Sequence, residues 1–179
     1  MTALVSFLAF CQALGALIGA FTAIWSELAY IRAIRDGKID AAERAHLRLV
    51  GKGLSFGMTL LLLASFALVV VNFTLQATLQ PALSTSYWSS IFLAFLIIGV
   101  SWALSRHRIS FALGSAILFT AWWFLTYLTF GLLPLPSFGA TVAFFVVATG
   151  IFYALLQYAR LLALDSTMKH RLAQKVKSL

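Results

Sequence analysis

The clearest pattern in the sequence is a series of five long apolar runs separated by short polar stretches. A helix needs about 20 apolar residues to cross the hydrocarbon core of a bilayer. The runs are close to that length and much longer than the alternating segments of about ten residues that build membrane barrels. The pattern predicts an all-α polytopic membrane protein with five transmembrane helices, which we expect near residues 3–35, 41–76, 88–105, 109–132 and 138–161.

The first polar interruption predicts that helices 1 and 2 continue beyond the membrane. Asp36 and Gly37 form a turn signal, and glycine suits the position that follows a helix C-terminus. Asp40 and Glu43 then have the spacing of a capping box, which restarts a helix. We therefore expect a charged cytoplasmic hairpin, called here the stem, centred on residues 35–48.

The positions of the cations predict the orientation of the protein in the membrane. All 13 lysines and arginines follow helix 1, 3 or 5, and alternation places these segments on one side of the membrane. Basic loops favour the cytoplasm, so we expect the N-terminus outside and the C-terminus inside. We also expect two parts, a transmembrane domain at 1–164 and a basic amphipathic cytoplasmic tail at 165–179.

Composition narrows the class of protein further. The chain is 62% hydrophobic and 10% charged, whereas a soluble domain is about a quarter charged. The net charge of +8 does not indicate nucleic-acid binding, because the cations flank apolar runs, where they contact anionic headgroups. We expect the lipid bilayer as a partner, no nucleic acid, and the plasma (inner) membrane of a prokaryote as the location.

Glu27 is the one acid close to an expected membrane-embedded position. An ionisable group within a span is a functional hypothesis by default. One interpretation is an interfacial carboxylate, either in water or paired with Arg32 or Arg160. The other is an ion or proton contact in a cytoplasmic vestibule, for which the candidate residues are Glu27, Tyr30, Arg32, Tyr158 and Arg160.

Glu43 and His46 are three positions apart on an expected helix, so both side chains could reach one metal ion. The competing interpretation is that both are solvated on a charged stem. A metal ion at this pair is the single cofactor that the sequence suggests, and we predict none elsewhere. The stem arginines Arg35, Arg44 and Arg48 form a candidate surface for docking a partner.

Gly15 and Gly19 form a GxxxG motif in helix 1. Small residues at this spacing let two membrane helices approach closely. The motif therefore predicts close helix packing, against another helix of this chain or against another subunit.

Three functions fit these features. The first is a small transport or permeation protein for an ion or small solute, working as a homo-oligomer through the inner vestibule. The second is an accessory or assembly subunit that docks a larger membrane complex. The third is a membrane enzyme with a metal at Glu43 and His46. Since we find no nucleophile–base constellation, phosphate loop or paired embedded carboxylates, we expect the protein not to be an enzyme.

Overall fold

The computed structural model describes most of the chain. Its backbone is described for residues 2–36, 41–75, 83–133 and 137–177, and its side chains for residues 3–32, 51–75, 83–133 and 137–163. Glu43, His46, Arg35, Arg44 and Arg48, the predicted metal and docking residues, lie outside the described side chains.

The described residues form helices and contain no strand. Five of these helices are long and apolar enough to cross a membrane, as the sequence predicted. In chain order they are α1 (Thr2–Asp36), α2 (Ala41–Thr74), α3 (Thr85–Ser105), α4 (Phe111–Thr129) and α5 (Phe138–Lys177).

Two helices begin at residues other than those predicted from the apolar pattern, because each starts directly after a capping serine. α3 was expected from residue 88 but begins at Thr85, because Ser84 caps it by accepting a 3.2 Å hydrogen bond from the Tyr87 amide. α4 was expected from residue 109 but begins at Phe111, after the capping residue Ser110. A side-chain oxygen at this position satisfies an amide that the helix itself leaves unbonded.

The C-terminal ends of α4 and α5 also differ from the expected bounds. α4 ends before Gly131, whose φ of 67° suits glycine. The Leu132 amide bonds the Tyr127 carbonyl and the Gly131 amide bonds the Leu128 carbonyl, as in a Schellman motif. α5 was expected to end near residue 161 before a separate tail, but it is one helix to Lys177, since no glycine or proline interrupts it after residue 150.

α4 is the centre of the bundle and packs against α1, α3 and α5. In its most apolar window 56% of the residues are buried, against 11% for α5. α2 packs mainly along α1, and this pair has the most extensive contact in the fold. The core joins Trp122 and Leu125 of α4 to Leu61 of α2 and Leu93 of α3. The buried core therefore includes side chains of α2, α3 and α4.

The glycines of the GxxxG motif lie at helix contacts within this chain. A Cβ at Gly15 would lie 2.8 Å from the Gly57 carbonyl oxygen, and one at Gly57 would lie 2.9 Å from the Gly15 carbonyl oxygen. The α1 and α2 backbones therefore touch at this crossing. A Cβ at Gly19 would overlap the ring of Trp122, so α4 also depends on a small residue here.

Candidate functional site

A glutamate and an arginine meet between three helices inside the bundle. Arg160 of α5 is 5% exposed and Glu27 of α1 is 6% exposed. Arg160 Nη2 lies 2.7 Å from Glu27 Oε2, which makes a direct ion pair. The same nitrogen donates a 2.7 Å hydrogen bond to Oγ of Ser115 on α4. These contacts link α1, α4 and α5.

Helix direction explains why these residues meet. Glu27 and Arg160 lie near the C-terminal ends of the α1 and α5 spans, whereas Ser115 lies near the start of α4. The Ser115 hydroxyl donates to the Ala112 carbonyl at 3.2 Å, which leaves its lone pairs to accept from Arg160. We call this end of the bundle, where Arg106 also lies, the basic end.

Two aromatic rings lie next to each other on one side of the guanidinium group. The Arg160 Cζ atom lies 5.0 Å from the ring centre of Tyr30 and 5.5 Å from that of Phe111. The two ring centres are 4.0 Å apart. A cation over an aromatic face is attracted to it, most strongly where water is excluded. Arg160, Glu27, Ser115, Tyr30 and Phe111 are called here the ion-pair cluster.

Stability alone is a weak reason for burying such a pair. Moving two charges out of water is costly, and their mutual attraction often only balances that cost. The Arg160 Nε atom, moreover, has no hydrogen-bond partner among the described residues. Ionisable groups enclosed by membrane-spanning helices usually mark a functional position. The ion-pair cluster is therefore the first candidate site.

The predicted vestibule residues divide into two groups. Glu27, Tyr30 and Arg160 come together, and the partner of Glu27 is Arg160 rather than Arg32. Arg32 is exposed, and Tyr158 is 64% exposed, so neither joins the cluster. Sequence reasoning missed Phe111 and Ser115, which share a face of α4 because they are four residues apart.

The described side chains contain no group of three or more histidine, cysteine, aspartate or glutamate residues arranged to hold a metal ion. Glu43 and His46 fall outside this set, so the metal hypothesis at the stem stays a prediction.

A second polar cluster lies at the opposite end of the bundle. Gln12 of α1 donates a 2.9 Å hydrogen bond from Nε2 to Oγ of Ser65 on α2. With Ser90 of α3 and Thr129 of α4, these side chains line a cavity of about 200 Å³. We call it the polar cavity. Its remaining lining residues are Leu68, Ser84, Ser86, Tyr87 and Leu128.

An apolar layer separates the polar cavity from the ion-pair cluster. Trp122, which is 1% exposed, has its ring against Gly19. Gly19 lies between Gln12 and Glu27 along α1, and Trp122 lies between Ser115 and Thr129 along α4. At 1.5 Å per residue, the layer is about 10–12 Å from each polar cluster. The interface of α1 and α4 thus presents polar, apolar and charged levels in turn.

The tryptophan that follows Trp122 has a different environment. Trp123 lines an apolar cavity of about 530 Å³ between α4 and α5, together with Phe119 and Tyr127. The ring centres of Trp123 and Phe21 on α1 are 6.3 Å apart. This cavity is lined almost wholly by apolar side chains, in contrast to the polar cavity.

Comparison with known proteins adds no relative, because no family model, no curated protein and no solved structure matches the chain. The five apolar helices are consistent with an integral membrane protein of the helical-bundle class.

Proposed function

We propose that the protein is a small transport or permeation protein for an ion or small solute, working as a homo-oligomer in the plasma membrane. The observation that carries the proposal is the ion pair of Glu27 and Arg160, buried between three helices that are apolar enough to span a membrane. Such groups in membrane bundles commonly belong to the route of an ion or substrate.

The order of side chains along α1 and α4 supports a route through each subunit. The polar cavity forms one vestibule, and the ion-pair cluster lies at the other end. Trp122 against Gly19 closes the route between them. In this proposal the structure is the closed state, and movement of the Trp122 side chain opens the connection.

The ion pair supplies a gate at the basic end. While Arg160 holds Glu27, the two charges neutralise each other, and the Glu27 carboxylate is not free to bind a cation. When α5 moves away, Glu27 exchanges Arg160 for a permeant cation or for water. Ser115, which accepts a hydrogen bond from Arg160 in the closed state, loses that bond at the same time. The basic end faces the cytoplasm in this proposal, following the distribution of the cations.

Flux through vesicles tests this function. The purified protein is reconstituted into liposomes, and movement of monovalent ions and small solutes is followed with and without a membrane potential. We expect Glu27→Gln to lower flux by about tenfold or more, equivalent to roughly 1.4 kcal/mol in the barrier. Trp122→Leu should raise flux, because it shortens the side chain that closes the route.

Arg108→Gln is the matched control, since it removes an exposed arginine at the same end. It should leave flux unchanged. Absence of flux for every solute tested, in a correctly folded wild-type protein, would contradict the transport proposal. Equal flux in Glu27→Gln and the wild type would remove the ion pair from it.

An accessory role is a second candidate, favoured by the lengths of α1 and α2. Residues 32–52 hold six cations and three acids, yet α1 continues to Asp36 and α2 already starts at Ala41. Residues 41–50 of α2 correspond to about 15 Å of helix. Such a helical extension offers a docking surface for a larger complex.

Purification from native membranes in a mild detergent tests the accessory role. Foreign subunits that co-purify with the wild type and are lost from an Arg44→Glu, Arg48→Glu variant would support it. A homo-oligomer without foreign subunits would count against it and in favour of transport.

A further inference from the structure

The cavity between α4 and α5 is lined mainly by aromatic rings, and it is called here the aromatic cavity. Its volume is about 530 Å³, within the range of roughly 300–1,000 Å³ that is typical of ligand pockets. Six of the ten lining residues that the structure describes are aromatic, against 15% of the whole chain. They are Phe119, Trp123, Phe124, Tyr127, Phe144 and Phe152.

Two pairs of these rings connect the helices that border the cavity. Phe119 of α4 and Phe152 of α5 have ring centres 5.2 Å apart. Phe124 of α4 and Phe144 of α5 have ring centres 5.6 Å apart. Since a helix rises 1.5 Å per residue, the two pairs are about 7.5 Å apart along α4 and about 12 Å apart along α5. Rings from both helices therefore border the same space.

The polar atoms of this lining are few and uncharged. Thr120, Trp123 and Tyr127 each carry one in their side chains, and the Thr120 hydroxyl already donates to the Ala116 carbonyl at 2.8 Å. The described lining residues include no acid, base or amide side chain. A charged ligand would lose its hydration there without gaining a counter-charge, which is costly. We therefore expect an uncharged ligand.

The surroundings of the cavity determine which uncharged ligand it favours. Tyr127 is 44% exposed and Phe144 is 50% exposed, so the lining reaches the outer surface of the bundle. An aliphatic molecule that leaves lipid tails for an apolar cavity exchanges one hydrocarbon environment for another and gains little. An aromatic molecule gains a contact that lipid tails lack, because the edge of one ring is attracted to the face of another. The cavity therefore favours aromatic over aliphatic ligands.

We propose that the aromatic cavity binds an uncharged aromatic ring compound that enters from the bilayer. This inference goes beyond the proposed transport function. The aromatic cavity lies between α4 and α5, whereas the proposed route follows the interface of α1 and α4. Binding to the aromatic cavity can therefore be measured whether or not the protein conducts a solute.

Thermal unfolding of the full-length protein in detergent tests this inference, because a ligand that binds only the folded state raises the unfolding midpoint. The probe is naphthalene. The matched comparison is decalin, which has the same carbon skeleton without aromatic rings, at an equal mole fraction in the micelles. We expect naphthalene to raise the midpoint of the wild type in a saturable way, and decalin to have a much smaller effect.

Three variants locate the binding site. Trp123→Leu and Phe152→Leu each keep an apolar side chain but remove a ring. Each should weaken naphthalene binding by about threefold to tenfold, equivalent to about 0.6–1.4 kcal/mol. Ala148→Phe places a bulky side chain in the lining and should abolish saturable binding. Phe66→Leu is the control and should leave the apparent Kd unchanged, since Phe66 is a 68% exposed residue of α2 outside this lining.

The outcomes distinguish an aromatic site from a general hydrocarbon groove. Saturable naphthalene binding that both leucine variants weaken, with little response to decalin, would support the proposal. Equal saturable effects of naphthalene and decalin would mean that any hydrocarbon fits, including a lipid acyl chain, and the assignment of an aromatic ligand would be wrong. The absence of a saturable naphthalene effect, or its persistence in Ala148→Phe, would also overturn the proposal. The flux expected of the wild type does not depend on any of these results.

Discussion

The two polar clusters of this bundle use the same two helices, α1 and α4, in opposite ways. At the basic end, Glu27 and Arg160 form a buried ion pair, and two aromatic rings lie beside the Arg160 guanidinium group. At the other end, Gln12 and Ser65 are neutral and line a cavity of about 200 Å³.

The difference follows from what each kind of group needs when water is excluded. A serine or threonine hydroxyl can bond a carbonyl of its own helix, so it can face a cavity at little cost. A carboxylate or guanidinium has no such local partner and must find a counter-charge on another helix. Neutral hydroxyls can thus leave space for a ligand, whereas the buried charges hold helices together until something replaces one of them.

Breaking the ion pair should have the largest effect on stability. Glu27→Leu leaves Arg160 buried without a counter-charge, and loss of one partner of such a pair costs about 3–5 kcal/mol. Arg160→Leu should also be destabilising, because it leaves Glu27 buried without a counter-charge. Replacing both residues with leucine should recover much of the loss. Equilibrium unfolding in mixed micelles gives these free energies.

Arg32→Leu is the control for this double-mutant cycle, because Arg32 is an exposed arginine near the same end of α1. We expect its free energy of unfolding to change by less than about 1 kcal/mol. If Glu27→Leu were as mild as Arg32→Leu, water would have to reach the pair, and its contrast with the polar cavity would disappear.

Adding a methyl group to the apolar layer of Gly19 and Trp122 should have the next largest effect on the free energy of unfolding. A Cβ at Gly19 would overlap the Trp122 ring, so Gly19→Ala forces the ring or the helices apart. Overpacking of this kind costs about 1–3 kcal/mol. Unfolding measurements on Gly19→Ala should show this loss, and near-ultraviolet circular dichroism should show the displaced tryptophan.

Gly99→Ala and Gly150→Ala provide matched controls in α3 and α5. A Cβ at either position meets no atom within 4 Å. Alanine favours a helix over glycine by about 1 kcal/mol, so these variants should be unchanged or more stable. A loss at all three positions would mean that Trp122 does not determine the cost at Gly19.

The helices were predictable from the sequence because the length of an apolar run is a local property. The five apolar helices were found, yet their ends depended on single capping interactions such as Ser110 before α4 and Gly131 after it. The extension of α5 to Lys177 was missed because the apolar run ends before the helix-favouring residues do.

The sites were predictable only where a residue type is rare. A carboxylate near a span is unusual, so Glu27 was selected from the sequence, and Arg160 was one of its two expected partners. Ser65 and Ser90 carry no such signal, because hydroxyl residues are common in membrane helices and their pairing depends on the packing of separate helices. The polar cavity therefore became visible only in three dimensions.

Removing one hydroxyl from the polar cavity should have a smaller effect on stability. Ser65→Ala ends the 2.9 Å hydrogen bond from Gln12, which joins α1 to α2. Hydrogen bonds between membrane helices contribute about 0.6 kcal/mol on average, so the loss should be near that value. Thr59→Ala, whose hydroxyl bonds only within α2, should change less. A loss of several kcal/mol would show that the cavity is held together as tightly as the ion pair.

Weakening the contact of an exposed arginine at the basic end should have a similarly small effect. Arg106 lies with its Cζ atom 4.9 Å from the Trp102 ring centre, but Trp102 is 52% exposed, whereas Arg160 is enclosed. Exposed cation–π contacts contribute about 0.5–1 kcal/mol, so Trp102→Leu should lower the free energy of unfolding by no more than this. Phe95→Leu, at a 68% exposed position on the same helix, is the control for losing an aromatic ring alone. If Trp102→Leu cost as much as Glu27→Leu, enclosure would not be what distinguishes Arg160 from the other cations at this end.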